Sequence, residues 1–280
     1  MKKAEISAFA RLTPLLLFCI SFSVYAQKLP KVQTNSLIAP DNIRIDGRTN
    51  EWNDKYQAYN RHTDIYYTIS NDNEKIYLVV KATNRAIAGK IISGGITFAI
   101  NPSGKKKDKE QIAVTFPVYD ENNKPDIDII NNPEITRNGS QDEINAAIGQ
   151  ANKKLIHSSK EIKLMGTKII TDTLISVYNN TGIRVAARFN KQGDYIYELA
   201  IPVKYLGLST EKGTKFSYNV RLNEPVNAPS IVTASTISTA PTASSIVSSL
   251  SAAPSAPVAA TDIDIFRTTD FWGAYTLAKK

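Results

Sequence analysis

Short segments rich in β-branched and aromatic residues, each bounded by turn residues, constrain the fold of this chain more than any other feature. Residues 65–70 (IYYTIS) and 75–82 (KIYLVVKA) flank the polar turn 71–74, which is a typical β-hairpin pattern. Similar strand patterns recur farther along the chain, at 96–100, 111–119, 174–178, 183–189, 195–201, 216–222 and 271–277. Many short strands joined by turns predict an all-β fold, an antiparallel β-sandwich of the jelly-roll or immunoglobulin-like kind.

Two segments interrupt the strand pattern. Residues 134–163 carry apolar positions at helical spacing after a candidate capping residue, Ser140, so we predict a short helical insertion there. Residues 226–260 are almost entirely Ala, Ser, Thr, Pro, Val and Ile and include no aromatic residue, which predicts a low-complexity loop. The predicted organisation is therefore a lead-in linker at 27–37 followed by one sandwich domain at 38–280.

The first 26 residues have the pattern of a secretory signal. A basic start is followed by the apolar run 15–22 (LLLFCISF) and by the small-residue ending Val24-Tyr25-Ala26. The apolar run is too short to span a bilayer, so we expect cleavage after Ala26 rather than a retained anchor. The mature chain would then be periplasmic or secreted, with no membrane span.

Loss of the signal changes the composition in two ways. It removes Cys19, the single cysteine of the 280-residue chain, so no disulfide is expected and stability must come from a packed core. It also removes three basic residues and one acidic residue, so the net charge falls from +8 to +6. The remaining basic residues are spread along the chain without interleaved aromatics, and nucleic acid is not an expected partner.

The stretch 45–52 (IDGRTNEW) joins a tight turn to a large aromatic residue. Asp46-Gly47 is a sequence that favours a sharp turn, and Trp52 must either anchor a core or lie under a ligand. Because strands follow directly, we interpret Asp46, Gly47 and Trp52 as fold anchors. Glu198, which alternates with apolar residues in a predicted strand, is assigned to the same structural group as a hydrogen-bonded carboxyl.

Three segments together resemble a known family. They are 45–52 with the hairpin that ends at 75–80, then 197–202 with 205–208 (YLGL), and finally Phe271-Trp272-Gly273. In this order they resemble the family 9 carbohydrate-binding modules, which belong to the DOMON-like β-sandwiches, and the resemblance spans 38–277. It implies a sugar gripped between aromatic faces, with calcium as a possible steadying ion and a glycoside hydrolase as a possible partner. The acidic residues that commonly follow the hairpin in that family are missing here, at 83–86 and 94–98.

Candidate sugar-binding residues are aromatic side chains with polar neighbours. They are Trp272, Tyr56, Tyr59, Tyr66 and Arg61. An aromatic ring offers a flat apolar surface to the C–H face of a sugar, and a nearby guanidinium can bind hydroxyl groups. Whether Trp272 and the tyrosines share one groove stays open at this point, as does the alternative that the tyrosines are half-buried structural residues.

No catalytic constellation stands out in the sequence. Glu51 and Glu198 are the obvious carboxylates for a glycosidase, but a structural role is favoured for Glu198. His62 and His157 are far apart and lack metal-ligand spacing, so no histidine metal site is predicted and calcium is the one ion that the resemblance allows. We therefore predict an exported, non-catalytic protein that captures a polysaccharide or oligosaccharide for carbohydrate catabolism.

Two alternatives come from other functional classes. Some DOMON-like sandwiches hold haem through an axial methionine, and Met165 is the only methionine left after signal cleavage. The second alternative is a structural or partner-binding envelope protein, in which the aromatic residues form a protein interface.

Overall fold

The protein is described by a computed structural model that covers residues 28–106, 111–119, 123–167, 169–208, 213–225 and 265–279. The predicted signal peptide and the predicted loop at 226–260 therefore lie outside the described residues. Eleven strands are found within the described part: β1 Ala58–Asn60, β2 Ile65–Asn71, β3 Lys75–Ala82, β4 Ile96–Asn101, β5 Ile112–Phe116, β6 Glu161–Met165, β7 Leu174–Ser176, β8 Arg184–Phe189, β9 Tyr195–Pro202, β10 Lys215–Leu222 and β11 Thr269–Thr276.

These strands form two sheets. Sheet A has the order β1-β2-β3-β9-β8, and sheet B has the order β11-β10-β4-β5-β6-β7. Every pairing between these named strands is antiparallel, and the inner faces of the two sheets contribute to one large apolar core. The predicted antiparallel β-sandwich is confirmed.

Aromatic side chains join the two sheets at the centre of the core. Tyr67 of sheet A lies 4.9 Å from Phe271 of sheet B, measured between ring centroids. The hydroxyl of Tyr67 is also 3.0 Å from that of Tyr218, so two buried polar atoms satisfy each other across the sandwich. Because side chains alternate along a strand, the neighbours of these residues, such as Tyr66 and Trp272, face outward.

Four α-helices accompany the sheets in the described part of the chain: α1 Arg85–Gly94, α2 Asp128–Asn131, α3 Pro133–Asn138 and α4 Gln141–Ser158. The helix α4 begins at Ser140, whose side chain forms a capping box with Glu143, as the sequence pattern suggests. The insertion ends earlier than predicted, since 161–163 belong to β6 and pair within sheet B. The helix α1 was not predicted; the side chain of Asn84 caps its first turn.

The segment predicted as a lead-in linker is packed against the sandwich. The side-chain amide of Gln33 is buried, accepts a hydrogen bond from the backbone of Ile69 at 2.7 Å and donates one to it at 2.7 Å. The hydroxyl of Tyr275, in the last strand, donates to the carbonyl of Leu37 at 3.0 Å. Residues 33–37 therefore close the seam between sheets A and B, and the linker prediction is wrong for them because their polar groups pair with both sheets.

None of the helices within the described ranges combines the length and the apolar character needed to cross a bilayer.

Candidate functional site

The four predicted anchor residues meet at one point on the outer face of sheet A. The buried carboxylate of Glu198 accepts hydrogen bonds from the backbone N–H groups of Asp46, at 3.1 Å, and Gly47, at 2.8 Å. Its other oxygen accepts from the indole N–H of Trp52 at 3.2 Å. Burial raises the pKa of Glu198 to about 7. Because its oxygens already bind three donors, this carboxyl holds the turn in place and is not available to a substrate.

Trp52 belongs to a second, smaller core on the same outer face. Its side chain is only 6% exposed and contacts Tyr77 edge-on, with ring centroids 6.2 Å apart. The remaining buried members of this cluster are Ala39, Tyr56, Val79 and Ala200. Residues preceding β1 therefore cover much of the outer face of sheet A, and Trp52 serves the fold.

The candidate tyrosines pack against one another beside this cluster. The rings of Tyr59 and Tyr66 lie 4.6 Å apart, tilted by 33°, and Tyr56 lies 6.1 Å from Tyr66. The ammonium group of Lys81 lies 4.9 Å from the ring of Tyr56 and 5.3 Å from that of Tyr66. These ring faces are therefore occupied by protein groups, which leaves little flat surface for a sugar.

Polar neighbours of the tyrosines are also engaged. The hydroxyl of Tyr59 donates to Asp64 at 2.6 Å, and this hydrogen bond raises the pKa of Tyr59 to about 12. Arg61 and His62 lie exposed in the turn before Asp64. The structure thus brings Tyr56, Tyr59 and Tyr66 together, but as a packed group.

Trp272 lies on the opposite side of the molecule. It follows Phe271, which points into the core and contacts Tyr67, so Trp272 faces outward from sheet B. Tyr66 precedes Tyr67 and faces outward from sheet A. The hypothesis of one groove shared by Trp272 and the tyrosines is therefore wrong, because the whole thickness of the sandwich separates them.

The outer face of sheet B carries a strip of small and polar residues beside Trp272, and its central members are buried: Asn219 is 1% exposed, Ala99 5% and Ala113 8%. The cross-strand register aligns one outward residue from each of five strands, in the order Trp272, Asn219, Ala99, Ala113 and Met165. The two alanines leave a low floor between the larger residues at either end. Trp272 itself is only partly buried, and its ring makes no aromatic contact with any other residue in the described part of the chain.

A polar row runs beside this strip. The next outward positions of the same strands are Asp270, Arg221, Thr97, Thr115 and Lys163. Asp270 accepts a hydrogen bond from the side-chain amide of Asn219 at 2.6 Å, and the hydroxyls of Thr97 and Thr115 are 2.8 Å apart. The carbonyl oxygen of the Asn219 side chain has no hydrogen-bond partner among the described residues.

The strip and the polar row, called the Trp272 face below, combine a flat aromatic surface with groups that bind hydroxyls. Only Trp272 was predicted from the sequence. The other members come from distant strands, and no local pattern links Arg221 or Thr97 to it. Their common feature in the sequence is a polar or small residue at the outward positions of otherwise apolar strands.

The alternative of haem binding has little geometric support. Met165 is 56% exposed at the end of the strip, whereas an axial ligand holds haem in a pocket that encloses the ring. Over the described ranges no three or more His, Cys, Asp or Glu side chains come together as a metal site, so the calcium that the resemblance implies has no carboxylate cluster there.

Comparisons with known proteins return structural neighbours only. No protein-family model matches the chain, and no curated protein matches it. One solved neighbour is a family 9 carbohydrate-binding module from Caldicellulosiruptor kristjanssonii in complex with cellotriose. It shares 8% identity over 69% of this chain and 78% of its own, with a TM-score of 0.32. A structure of such a module from the same organism with glucose gives 10% identity over 69% and 80%, with a TM-score of 0.31.

The neighbours thus come from the family that the three sequence motifs resemble. At this low similarity the comparison carries nothing further, and the sandwich assignment rests on the strand register of the chain itself.

Proposed function

We propose that the protein is a non-catalytic carbohydrate-binding protein that holds its ligand on the Trp272 face. The observation that supports this most directly is the partly exposed indole of Trp272 together with the exposed side chain of Arg221 on the neighbouring strand. An indole in this position offers its face to the apolar side of a sugar ring.

The polar row supplies the hydrogen bonds that a sugar needs. Arg221 offers up to five donors and Asp270 offers acceptors, whereas the hydroxyls of Thr97 and Thr115 bond to each other and Thr97 also bonds to Asn223 at 3.1 Å. The row crosses five strands, a length that suits a segment of a polysaccharide or an oligosaccharide.

Non-catalytic binding follows from the carboxylates present. Hydrolysis of a glycosidic bond requires two of them on either side of the bond, about 5 to 9.5 Å apart. The two rows of the Trp272 face contain one, Asp270, and it is hydrogen-bonded to Asn219. Any hydrolysis of the bound glycan would then come from a partner glycoside hydrolase.

The signal pattern at 1–26 supports export of this binding activity to the periplasm or beyond. In that compartment, capture of a polysaccharide or oligosaccharide would serve a carbohydrate catabolic process.

Affinity gel electrophoresis on a panel of polysaccharides, with the mature chain, tests the proposal. We expect retardation on at least one polysaccharide, its loss in Trp272→Ala, and partial retention in Trp272→Phe, which keeps a smaller platform. The matched control is Tyr59→Ala, which removes a partly exposed aromatic ring from the opposite face.

Two outcomes contradict the proposal. One is a folded protein that no polysaccharide retards, which would favour the envelope-partner alternative. The other is loss of retardation in Tyr59→Ala with wild-type behaviour in Trp272→Ala, which would move the site to the tyrosines. Thermal unfolding of each variant separates lost binding from lost structure.

A further inference from the structure

A concave surface lies at one end of sheet A, on the side of the molecule opposite the Trp272 face. It is a pocket of about 560 Å³ between the Asp46-Gly47 turn, the end of β8 and the helix α4. This volume lies within the range of about 300 to 1,000 Å³ that is common for small-molecule sites. The polar and charged lining residues that matter here are Arg48, Arg188, Lys191, Asn50, Gln192 and Asp54.

The lining of this pocket carries an excess of positive charge. Arg48, Arg188 and Lys191 form no ion pair with any described residue, and none of their side chains donates a hydrogen bond within the described part of the chain. The one acidic side chain of the lining, Asp54, already accepts a hydrogen bond from the hydroxyl of Thr49. Three cationic groups therefore surround a space that contains one engaged carboxylate.

Arg188 is held in place by the turn beneath it. Gly47 has a positive φ of +77°, and a Cβ added there would lie 2.7 Å from Cγ of Arg188. The absence of a side chain at Gly47 thus lets the aliphatic part of Arg188 lie directly on the turn. The turn itself is fixed, because the N–H of Gly47 donates to Glu198 at 2.8 Å.

The backbone next to Arg188 is fixed from the other side. The N–H of Phe189 donates to the buried side chain of Asn152, in α4, at 2.7 Å, and the Asn152 amide donates to the carbonyl of Phe189 at 3.0 Å. Arg188 therefore lies between a rigid turn and an anchored strand end. A cation whose position is set before binding loses less entropy when it meets an anion.

We infer that this pocket binds an acidic sugar, a hexuronate residue, through its carboxylate. Arg188 and Arg48 supply the donors for the carboxylate, and an Arg–carboxylate pair with two parallel hydrogen bonds is a strong and directional contact. Asn50 and Gln192 add neutral amides that can bind ring hydroxyls. A bare inorganic anion would use the cations but leave the amides and most of the volume unfilled. The inference is independent of the Trp272 face, which lies on the opposite sheet.

Isothermal titration at low ionic strength tests the inference in the Trp272→Ala variant of the mature chain, which lacks the proposed Trp272 site, with three probes: trigalacturonate, cellotriose and inorganic phosphate. We expect binding of trigalacturonate that weakens as sodium chloride is added, and at least tenfold weaker binding of the other two, about the effect of one good charged contact. Arg188→Gln should weaken trigalacturonate binding by about tenfold.

Matched variants distinguish this site from general attraction to a basic protein. Arg184→Gln removes a cation from the same strand, but Arg184 already donates to the carbonyl of Asn179 at 2.9 Å, so binding should not change. Arg188→Lys should restore part of the affinity. Thermal unfolding checks that Arg188→Gln is folded.

Three results would overturn the inference. They are equal binding of cellotriose and trigalacturonate, phosphate binding as tight as trigalacturonate binding, and equal loss in Arg184→Gln and Arg188→Gln. Absence of binding by the folded Trp272→Ala chain would also overturn it.

Discussion

Sheets A and B have similar inner faces but very different outer faces. On sheet A the outward residues Tyr77 and Val79 are buried beneath the chain that precedes β1, and Trp52 lies among them. On sheet B the outward residues are small or polar, and Trp272 remains partly exposed. The two tryptophans therefore have different surroundings: Trp52 completes the fold, and Trp272 carries the proposed binding face.

Removal of Trp52 should have the largest effect on stability. Trp52→Ala should lower the free energy of unfolding by about 3 to 5 kcal/mol, because it leaves a cavity and frees one donor bound to Glu198. Urea unfolding followed by circular dichroism measures this loss. A cost below about 1 kcal/mol would mean that the outer cluster of sheet A contributes little to stability.

A pH series tests the buried carboxyl under the same cluster. The pKa of Glu198 is about 7 in the folded chain and 4.5 for the ordinary group, so between these values only the folded state keeps the proton. The stability due to this proton is fully present below pH 4.5 and is lost as the pH rises through about 7. The loss should amount to at most about 3 kcal/mol.

Unfolding of the wild-type protein and of Glu198→Gln at pH 5 and pH 8 measures this effect. The variant has no group to titrate at this position, so its stability should change less between the two pH values. An equal change in both proteins would assign the pH dependence to other groups.

Removing Trp272 should have the smallest effect on stability. Trp272→Ala is expected to change the free energy of unfolding by less than about 1 kcal/mol, because the side chain is partly exposed and its strand is held by backbone pairing with β10. The same urea experiment applies. A loss as large as that of Trp52→Ala would show that Trp272 is a core residue and would weaken the proposed binding face.

The strands could be predicted from the sequence because period-two alternation and turn residues are local signals. The turn at Asp46-Gly47 could also be predicted from the sequence. A structural role for Glu198 could be predicted too, because a buried carboxyl in a strand needs hydrogen-bond donors. The helix α1 was missed because its apolar residues, Ile87 and Ile91, continue an apolar stretch that also suits strands.

The candidate site was harder to predict. The alternation of side chains along a strand predicts that Tyr66 and Trp272 face away from their neighbours Tyr67 and Phe271. It does not predict to which sheet each strand belongs. The sequence therefore leaves open a groove shared by Trp272 and the tyrosines, although the two lie on opposite faces of the sandwich. The basic pocket could not be predicted from the sequence either, because Arg48 and Arg188 are 140 positions apart in the chain and line the same pocket only in the folded structure.

The closed seam has a consequence for how the chain acquires its structure. Leu37 and Tyr275, which join there, are separated by 238 positions in sequence. Closing a contact of such long range is slow and waits for the last strand to be made. The proposed export fits this order of events, because the segment at 33–37 stays unpaired with the last strand during synthesis and the unfolded chain can pass through a translocation channel.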